Sequence, residues 1–349
     1  MLERPDLSDS MLVRALRAGF GLPIDDLAFE PQGNDSAAWT YRARSAEGVS
    51  WFVKVRRVIR PAGVVVPQFL RAHGLAEVLA PLSTAGGDPW LEIGPWSVLV
   101  YPFIDAPSAM ATGMTEDGWR RLGTFAARLH GTVLPDDVAA VVPREDFRPK
   151  ATALAQRVGR HVTGQRGPES ERDEIAARLA AAWSVRRGVI ERLVEVSEEL
   201  AGRIRRRAAR TPLPFALCHA DFHAANVLVG LDGDLTVVDW DEVVLAPPER
   251  DLMFVRGSAV AGSVTDREAT AFEAGYGSAA ADPLLIAWYR TDWAVQDLAD
   301  FARRAALDPT VGVATRARAL ALFESVFDPD GEADGAFLAM DRLAAVEGP

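Results

Sequence analysis

The chain has a single cysteine, Cys218, among its 349 residues. An intrachain disulfide is therefore excluded, as is a zinc site built on a cysteine cluster. No apolar run approaches the roughly 18 residues that suggest a membrane span. The start, MLERPDLSDSM, lacks the basic and then apolar regions of a signal peptide. A cytoplasmic protein with no membrane partner is expected. Lysine and asparagine are almost missing too: Lys54 and Lys150, Asn34 and Asn226 are the only ones. An Ala- and Arg-rich coding bias accounts for the scarcity, and it draws attention to those that remain. Positive charge is also short, with a formal net charge of −11. Such a chain is a poor binder of phosphate backbones, so no nucleic-acid partner is expected. It suits a cationic small molecule, although acidity also serves solubility.

What is present is the composition of a globular protein, long enough for two core-bearing units. Ser8 can cap a short amphipathic helix that stops near Gly19 and Gly21. LAFEPQG, AAWTYRARS and VSWFVKVRR then read as strands separated by the turn signals QGND and SAEG. One helical segment, PAGVVVPQFLRAHG, precedes LAPLS, PWLEI and WSVLVYPFI as further strands. From TEDGWRRLGTFAARLHG onward the pattern is helical. Breaks are expected at GQRGPES and Gly188, and a short strand pair lies around LCHADFHAANVLV and LTVVDWDEV. Strands followed by helices predict an α+β chain of two lobes. The division falls near the loop after Tyr101, giving residues 1–103 as a small antiparallel sheet lobe and residues 104–349 as a mainly helical one.

The chemistry concentrates in LCHADFHAANVLV. His219, Asp221 and His223 alternate, so an extended strand would put them on one face, a weak metal-hydrolase pattern. That reading leaves the next residues unexplained. Asn226 to Val229 alternates as a strand, Asp232 and Gly233 turn, and Leu235 to Asp239 returns. Such a hairpin brings Asn226 near Asp239 at its open end, with Asp221 just ahead. Two carboxylates and an amide are hard oxygen donors of the kind Mg²⁺ takes alongside substrate phosphates. A carboxylate among them that does not bind metal could accept a proton from an attacking hydroxyl. A buried His–Asp pair satisfying itself explains either residue alone but not the whole spacing.

The full string, His219-Ala-Asp221-Phe-His223-Ala-Ala-Asn226 and then Val-Val-Asp239-Trp240-Asp241, follows the kinase order H-x-D-x-x-x-x-N with a later metal aspartate. In this form it resembles the aminoglycoside phosphotransferase family, small-molecule kinases on the protein-kinase fold. VYPFIDAP and WYRTDWAVQDLADF are similar to segments of its spectinomycin phosphotransferase branch. The resemblance implies a bilobal α+β kinase-like fold, ATP and Mg²⁺ as requirements, and a cationic aminocyclitol hydroxyl as acceptor. A monomer or homodimer would bind only nucleotide and substrate.

By the same resemblance Asp221 is the catalytic base, and Asn226 and Asp239 hold Mg²⁺. His219 fixes the loop, and Asp251 braces it from below. His223 takes the position of a lysine aimed at the γ-phosphate. Lys54, in Trp51-Phe-Val-Lys-Val55, matches the strand lysine that holds the α- and β-phosphates. Gly33, Asn34 and Ser36 fall in the loop that covers the phosphates. Tyr101 C=O and Phe103 N–H would pair with adenine. For an ammonium-bearing substrate, carboxylates and aromatic surfaces are wanted. Asp241, Glu242, Tyr289, Asp292, Trp293 and Asp297 are the candidates. One departure stands out. Kinases pair the strand lysine with a glutamate of the next helix, yet residues 61–74 contain no acid and Glu77 lies beyond the helix end. The carboxylate partner of Lys54 is left open. A kinase for another metabolite, such as an amino alcohol, sugar or amino acid, or a non-catalytic nucleotide-binding relative, fits the same residues.

Overall fold

Ser8 caps the first helix by accepting the amide of Met11, and the helix ends where Gly21 turns left-handed at φ 66°. A computed structural model describes residues 1–31, 37–164, 173–255, 264–277 and 281–348. In chain order its elements begin with α1 (Asp9–Phe20), β1 (Ile24–Glu30), β2 (Ala38–Ser45), β3 (Ser50–Arg56), α2 (Ala62–Ala72), β4 (Leu91–Ile93) and β5 (Trp96–Pro102). Then come α3 (Ala109–Thr112), α4 (Glu116–His130), α5 (Asp136–Ala139), α6 (Thr152–Gly164), α7 (Glu174–Ala208), β6 (Ala216–Cys218), β7 (Val227–Val229) and β8 (Leu235–Val237). The series closes with β9 (Val244–Ala246), α8 (Glu249–Leu252), α9 (Asp266–Tyr276), α10 (Pro283–Ala306), α11 (Val313–Ser325) and α12 (Glu332–Glu347). No helix among the described residues is long and apolar enough to cross a membrane.

The chain forms two compact units. One comprises Met1–Met114, Val133–Pro143 and Ala224–Val243, and the other Thr115–Thr132, Arg144–His223 and Val244–Pro349. This differs from a single division at residue 103, because the β7–β8 hairpin joins the first unit through its backbone. Leu79 N–H donates to Val237 C=O at 3.0 Å, Val237 N–H to Glu77 C=O at 2.7 Å, and Val229 N–H to Pro107 C=O at 2.9 Å.

In the first unit five antiparallel strands run in the order β1-β2-β3-β5-β4. Alternation sorts β3. Trp51, Val53 and Val55 are buried in the core, while Phe52 and Lys54 line a cavity on the other face. Lys54 stands opposite Thr40 on β2 and Leu99 on β5. LAPLS, read as a strand, builds no ladder: Leu79 N–H goes to Val237 C=O, and Leu82 N–H to Val100 C=O at 2.7 Å. Pro81 has no N–H to extend a ladder.

The second unit is helical, organised on α10, which packs against α6, α7, α11 and α12. The core there includes Leu179, Trp183, Leu193, Val295, Leu298 and Phe323. The break expected at Gly188 does not occur: α7 is one helix of 35 residues. Its apolar stripe outweighs the roughly 1 kcal/mol that an interior glycine costs. Of GQRGPES, only Gly164 lies within the described residues. Where α4 meets α9, a Cβ on Gly275 would stand 1.8 Å from Arg120 O, so this crossing requires glycine.

Candidate active site

Two clusters of functional side chains emerge, one in each unit. In the first, a cavity of about 810 Å³ opens on the sheet face that carries Lys54. Its walls come from the end of β1, from β2 and β3, from residues 101–106, and from the hairpin residues Ala225, Asn226, Leu228, Val238 and Asp239. Apolar Phe29, Phe52, Phe103, Ile104 and Leu228 thus share one cavity with Lys54, Asn226 and Asp239. That mixture suits a flat ring joined to a charged tail.

Lys54 is buried, and its Nζ donates to Asp239 Oδ1 at 3.0 Å and Asp241 Oδ2 at 2.6 Å. Burial alone would lower its pKa; the charges of Asp239 and Asp241 outweigh it and raise the value, so the ammonium stays protonated. Asp239 follows β8 at φ 61°, ψ 67°, a conformation uncommon for a residue with a side chain. Two bonds hold it there. Val238 N–H donates to Asn226 C=O at 2.9 Å, closing the hairpin, and Trp240 Nε1 donates to Val237 C=O at 3.1 Å.

Asp241 and Glu242, placed with the substrate by the sequence reading, are committed elsewhere. The Asp241 carboxylate meets Lys54 and Arg56, and Glu242 pairs with Arg60. Burial works to raise the Asp241 pKa, but Lys54 and Arg56 prevail and hold it down at about 2. The adenine pairing expected of Phe103 N–H needs a correction as well. Phe103 N–H donates to Ser50 C=O at 3.3 Å, because β5 continues its pairing with β3 through Pro102. Gly33, Asn34 and Ser36 lie outside the described residues.

In the second unit, β6 pairs with β9 and delivers the chain to a buried His219. The fully buried Asp251 accepts His219 N–H at 2.9 Å on Oδ2 and Ala220 N–H at 2.7 Å on Oδ1. This clamp fixes Ala220 at φ 68°. Asp221 follows, with its N–H directed to His219 Nδ1 at 3.3 Å and its Oδ1 lying 3.2 Å from His223 Nε2. Against the desolvation of the loop, His223 and then His219 and Arg250 hold the Asp221 carboxyl well below the usual range. The His223 ring meets Phe254 edge-on at 5.7 Å, and Phe254 meets Trp293 at 5.1 Å.

The residues proposed for substrate on α10 divide. Trp293 is joined to the loop through Phe254, and Asp297 feels the charge of Asp221. Burial, and the neighbouring Glu332, Asp221 and Asp300, push the Asp297 carboxyl well up. Tyr289 and Asp292 belong to the core instead. Tyr289 is 2% exposed and packs at a tilt against Trp288, ring centres 4.7 Å apart. Asp292 is 5% exposed and accepts from Ser197 Oγ at 3.0 Å and Gln296 Nε2 at 2.6 Å. The sequence reading missed His130, whose Nε2 lies 3.0 Å from Asp251 Oδ2 and whose Nδ1 lies 2.8 Å from Tyr276 OH. Its only signal is a histidine in the last turn of α4, in a chain with five of them.

A strand lysine held by carboxylates in a sheet-lined cavity, and a carboxylate loop clamped from below, are the working parts of a small-molecule kinase. Residues 39–293 match the Phosphotransferase enzyme family, and the chain belongs to that family. It is similar to spectinomycin phosphotransferase APH(9)-Ia, solved with ADP and spectinomycin, at 26% identity and a TM-score of 0.83, covering 96% of this chain and 99% of that one. Protein StrN of Streptomyces griseus is 28% identical over 286 residues, 80% of each protein. Amicoumacin kinase hAmiN shares the fold, with a TM-score of 0.58 at 14% identity over 95% of this chain and 97% of that one. The chain is thus a small-molecule phosphotransferase with an α+β, kinase-like fold.

Proposed function

We propose that the chain transfers the γ-phosphoryl group of ATP, with Mg²⁺, to a hydroxyl of a cationic aminocyclitol, with spectinomycin as the acceptor. One observation carries this reading: the likeness to a spectinomycin phosphotransferase extends over nearly the whole of both chains. The same likeness favours this reading over a kinase for another metabolite and over a non-catalytic relative.

The cavity residues fit the metal. Asn226 and Asp239 offer an amide and a carboxylate oxygen on one cavity, with no thiol or imidazole among the lining groups. The Asp239 side chain keeps 44% exposure even with Lys54 on one oxygen. These two residues would hold Mg²⁺, which would neutralise the phosphate charge. Lys54, kept cationic, takes the α- and β-phosphates. Asp221 orients the substrate hydroxyl. The hydroxyl oxygen bonds to γ-phosphorus, the bond from γ-phosphorus to the bridging oxygen breaks, ADP leaves, and the proton passes to Asp221. A carboxylate held below its usual pKa is a weak base, so the proton moves late, as a loose phosphoryl transfer allows. Trp293 supplies an aromatic face for the substrate ammonium, and the Asp297 carboxyl, pushed up by burial and by its acidic neighbours, would ionise beside that cation.

The test is expression in susceptible bacteria, together with an ATP-consumption assay over spectinomycin, an amino alcohol and a sugar. Protection against spectinomycin and turnover with it alone are expected. Turnover confined to the amino alcohol or sugar assigns the chain to another metabolite. ATP binding with no phosphorylated product from any acceptor refutes catalysis.

A further inference from the structure

Lys54 lacks the helix carboxylate that kinases of this kind use to hold the strand lysine in place. Helix α2, with sequence AGVVVPQFLRA, carries no acid. Its second residue, Gly63, also leaves no side chain at the point of closest approach. A Cβ there would stand 2.9 Å from Trp240 O and 3.0 Å from Asp241 Cα. The helix therefore presses backbone to backbone on the Trp240–Glu242 turn, and the turn takes the space a helix side chain would fill.

Asp241 sits on that turn. Its Oδ2 lies 2.6 Å from Lys54 Nζ and also accepts from Arg56, which is 3% exposed. Its Oδ1 lies 3.2 Å from the position of a Gly63 Cβ, against the helix. Lys54 and Asp239 line the nucleotide-sized cavity, whereas Asp241 does not. Asp241 thus meets the lysine without itself forming part of the cavity wall. Asp239, the other carboxylate on Lys54, has a second duty in the reading given above, since it is also the metal-type donor.

We propose that Asp241 is the positioning residue for Lys54, replacing the missing helix carboxylate with one carried by the turn after β8. Arg56 fixes the orientation of that carboxylate, and Gly63 makes room for the turn. The consequence is that Lys54 keeps one dedicated anion while Asp239 serves the phosphates. The inference rests on Lys54 being the phosphate-binding lysine.

The experiment measures the ATP dissociation constant, by calorimetry without acceptor, and the separate KM values for ATP and acceptor. The variants are Asp241→Asn, Asp241→Glu, Lys54→Met and the double Lys54→Met/Asp241→Asn, with melting temperatures as a folding control. Asp241→Asn should weaken ATP binding about ten- to a hundredfold, the range of a charge-assisted bond, and leave acceptor KM unchanged. Asp241→Glu should restore part of it. The double variant should bind ATP no worse than Lys54→Met alone, because Asp241 acts through the lysine. A rise in acceptor KM, multiplying losses in the double variant, or wild-type ATP binding by Asp241→Asn overturns the proposal. If Asp241→Asn does not fold, the double variant removes one charge of each sign, and its comparison with Lys54→Met decides. Unchanged ATP binding in Lys54→Met instead sinks the underlying assignment of the lysine.

Discussion

Replacing Asp251 by asparagine should disable the catalytic loop without touching any group that meets substrate. The carboxylate is fully buried and accepts the N–H of His219 at 2.9 Å and of Ala220 at 2.7 Å, with His130 Nε2 at 3.0 Å as a third partner. Asparagine has the same shape but only one acceptor oxygen. Its NH₂ must then face one of these donors, leaving a buried N–H unpaired at a cost of about 1–3 kcal/mol. The clamp also holds Ala220 at φ 68°, a conformation that costs of order 1–3 kcal/mol and persists only under constraint. Part of that strain is released when the clamp opens, so the net loss should be about 2 kcal/mol, with the loop relaxing. For a chain of this size, that lowers the melting temperature by roughly 3 °C. Calorimetric melts with paired kcat measurements should show both a lower transition and a kcat reduced by at least tenfold, with ATP affinity retained. An Asp251→Asn protein with wild-type melting and kcat would refute the clamp.

Asp221→Ala should nearly abolish phosphoryl transfer while the ATP dissociation constant stays near wild type, measured by single-turnover kinetics and calorimetry; retained turnover contradicts its role. Asp239→Asn should raise the Mg²⁺ concentration needed for half-maximal rate, and chelation should stop the wild-type reaction; a metal-independent rate contradicts the donor assignment. Asp292 gives a pH prediction. Burial raises its folded pKa to about 6, above the ordinary carboxylate value, despite bonds from Ser197 and Gln296. Between those two values the folded state binds more protons than the unfolded state, so this group's contribution to stability falls as pH rises through about 4 to 6. In Asp292→Asn the melting temperature at pH 7 should rise relative to that at pH 4.5, compared with the same difference in wild type, and an unchanged difference contradicts the raised pKa.

Much of the fold was legible because period and punctuation agree. Ser8, Gly21 and the apolar spacing delimit α1, and Trp51, Val53 and Val55 alternate with Phe52 and Lys54 as a half-buried strand must. The hairpin around Asp232 and Gly233 was legible from its turn, and Gly233 does adopt φ 76°. What escaped depends on partners distant in the chain. No local signal tells that Val237 bonds Glu77, and so that the hairpin belongs with the sheet. Nor could spacing show that Asp241 and Glu242 face Lys54, Arg56 and Arg60, since an acid after a metal aspartate suits a substrate equally well. Tyr289 and Asp292 look like a binding face in a helical projection, yet α10 is central to its unit and buries most of its circumference. His130 carried too little signal to be singled out.

Phosphoryl transfer to spectinomycin is decided by incubating the purified protein with ATP, Mg²⁺ and spectinomycin and following the products by phosphorus NMR and mass spectrometry. The wild-type protein, and not Asp221→Ala, should give stoichiometric ADP and a spectinomycin carrying one additional phosphoryl group on a hydroxyl. Unmodified spectinomycin after many equivalents of ATP have been offered, or equal product from the Asp221→Ala protein, would contradict it.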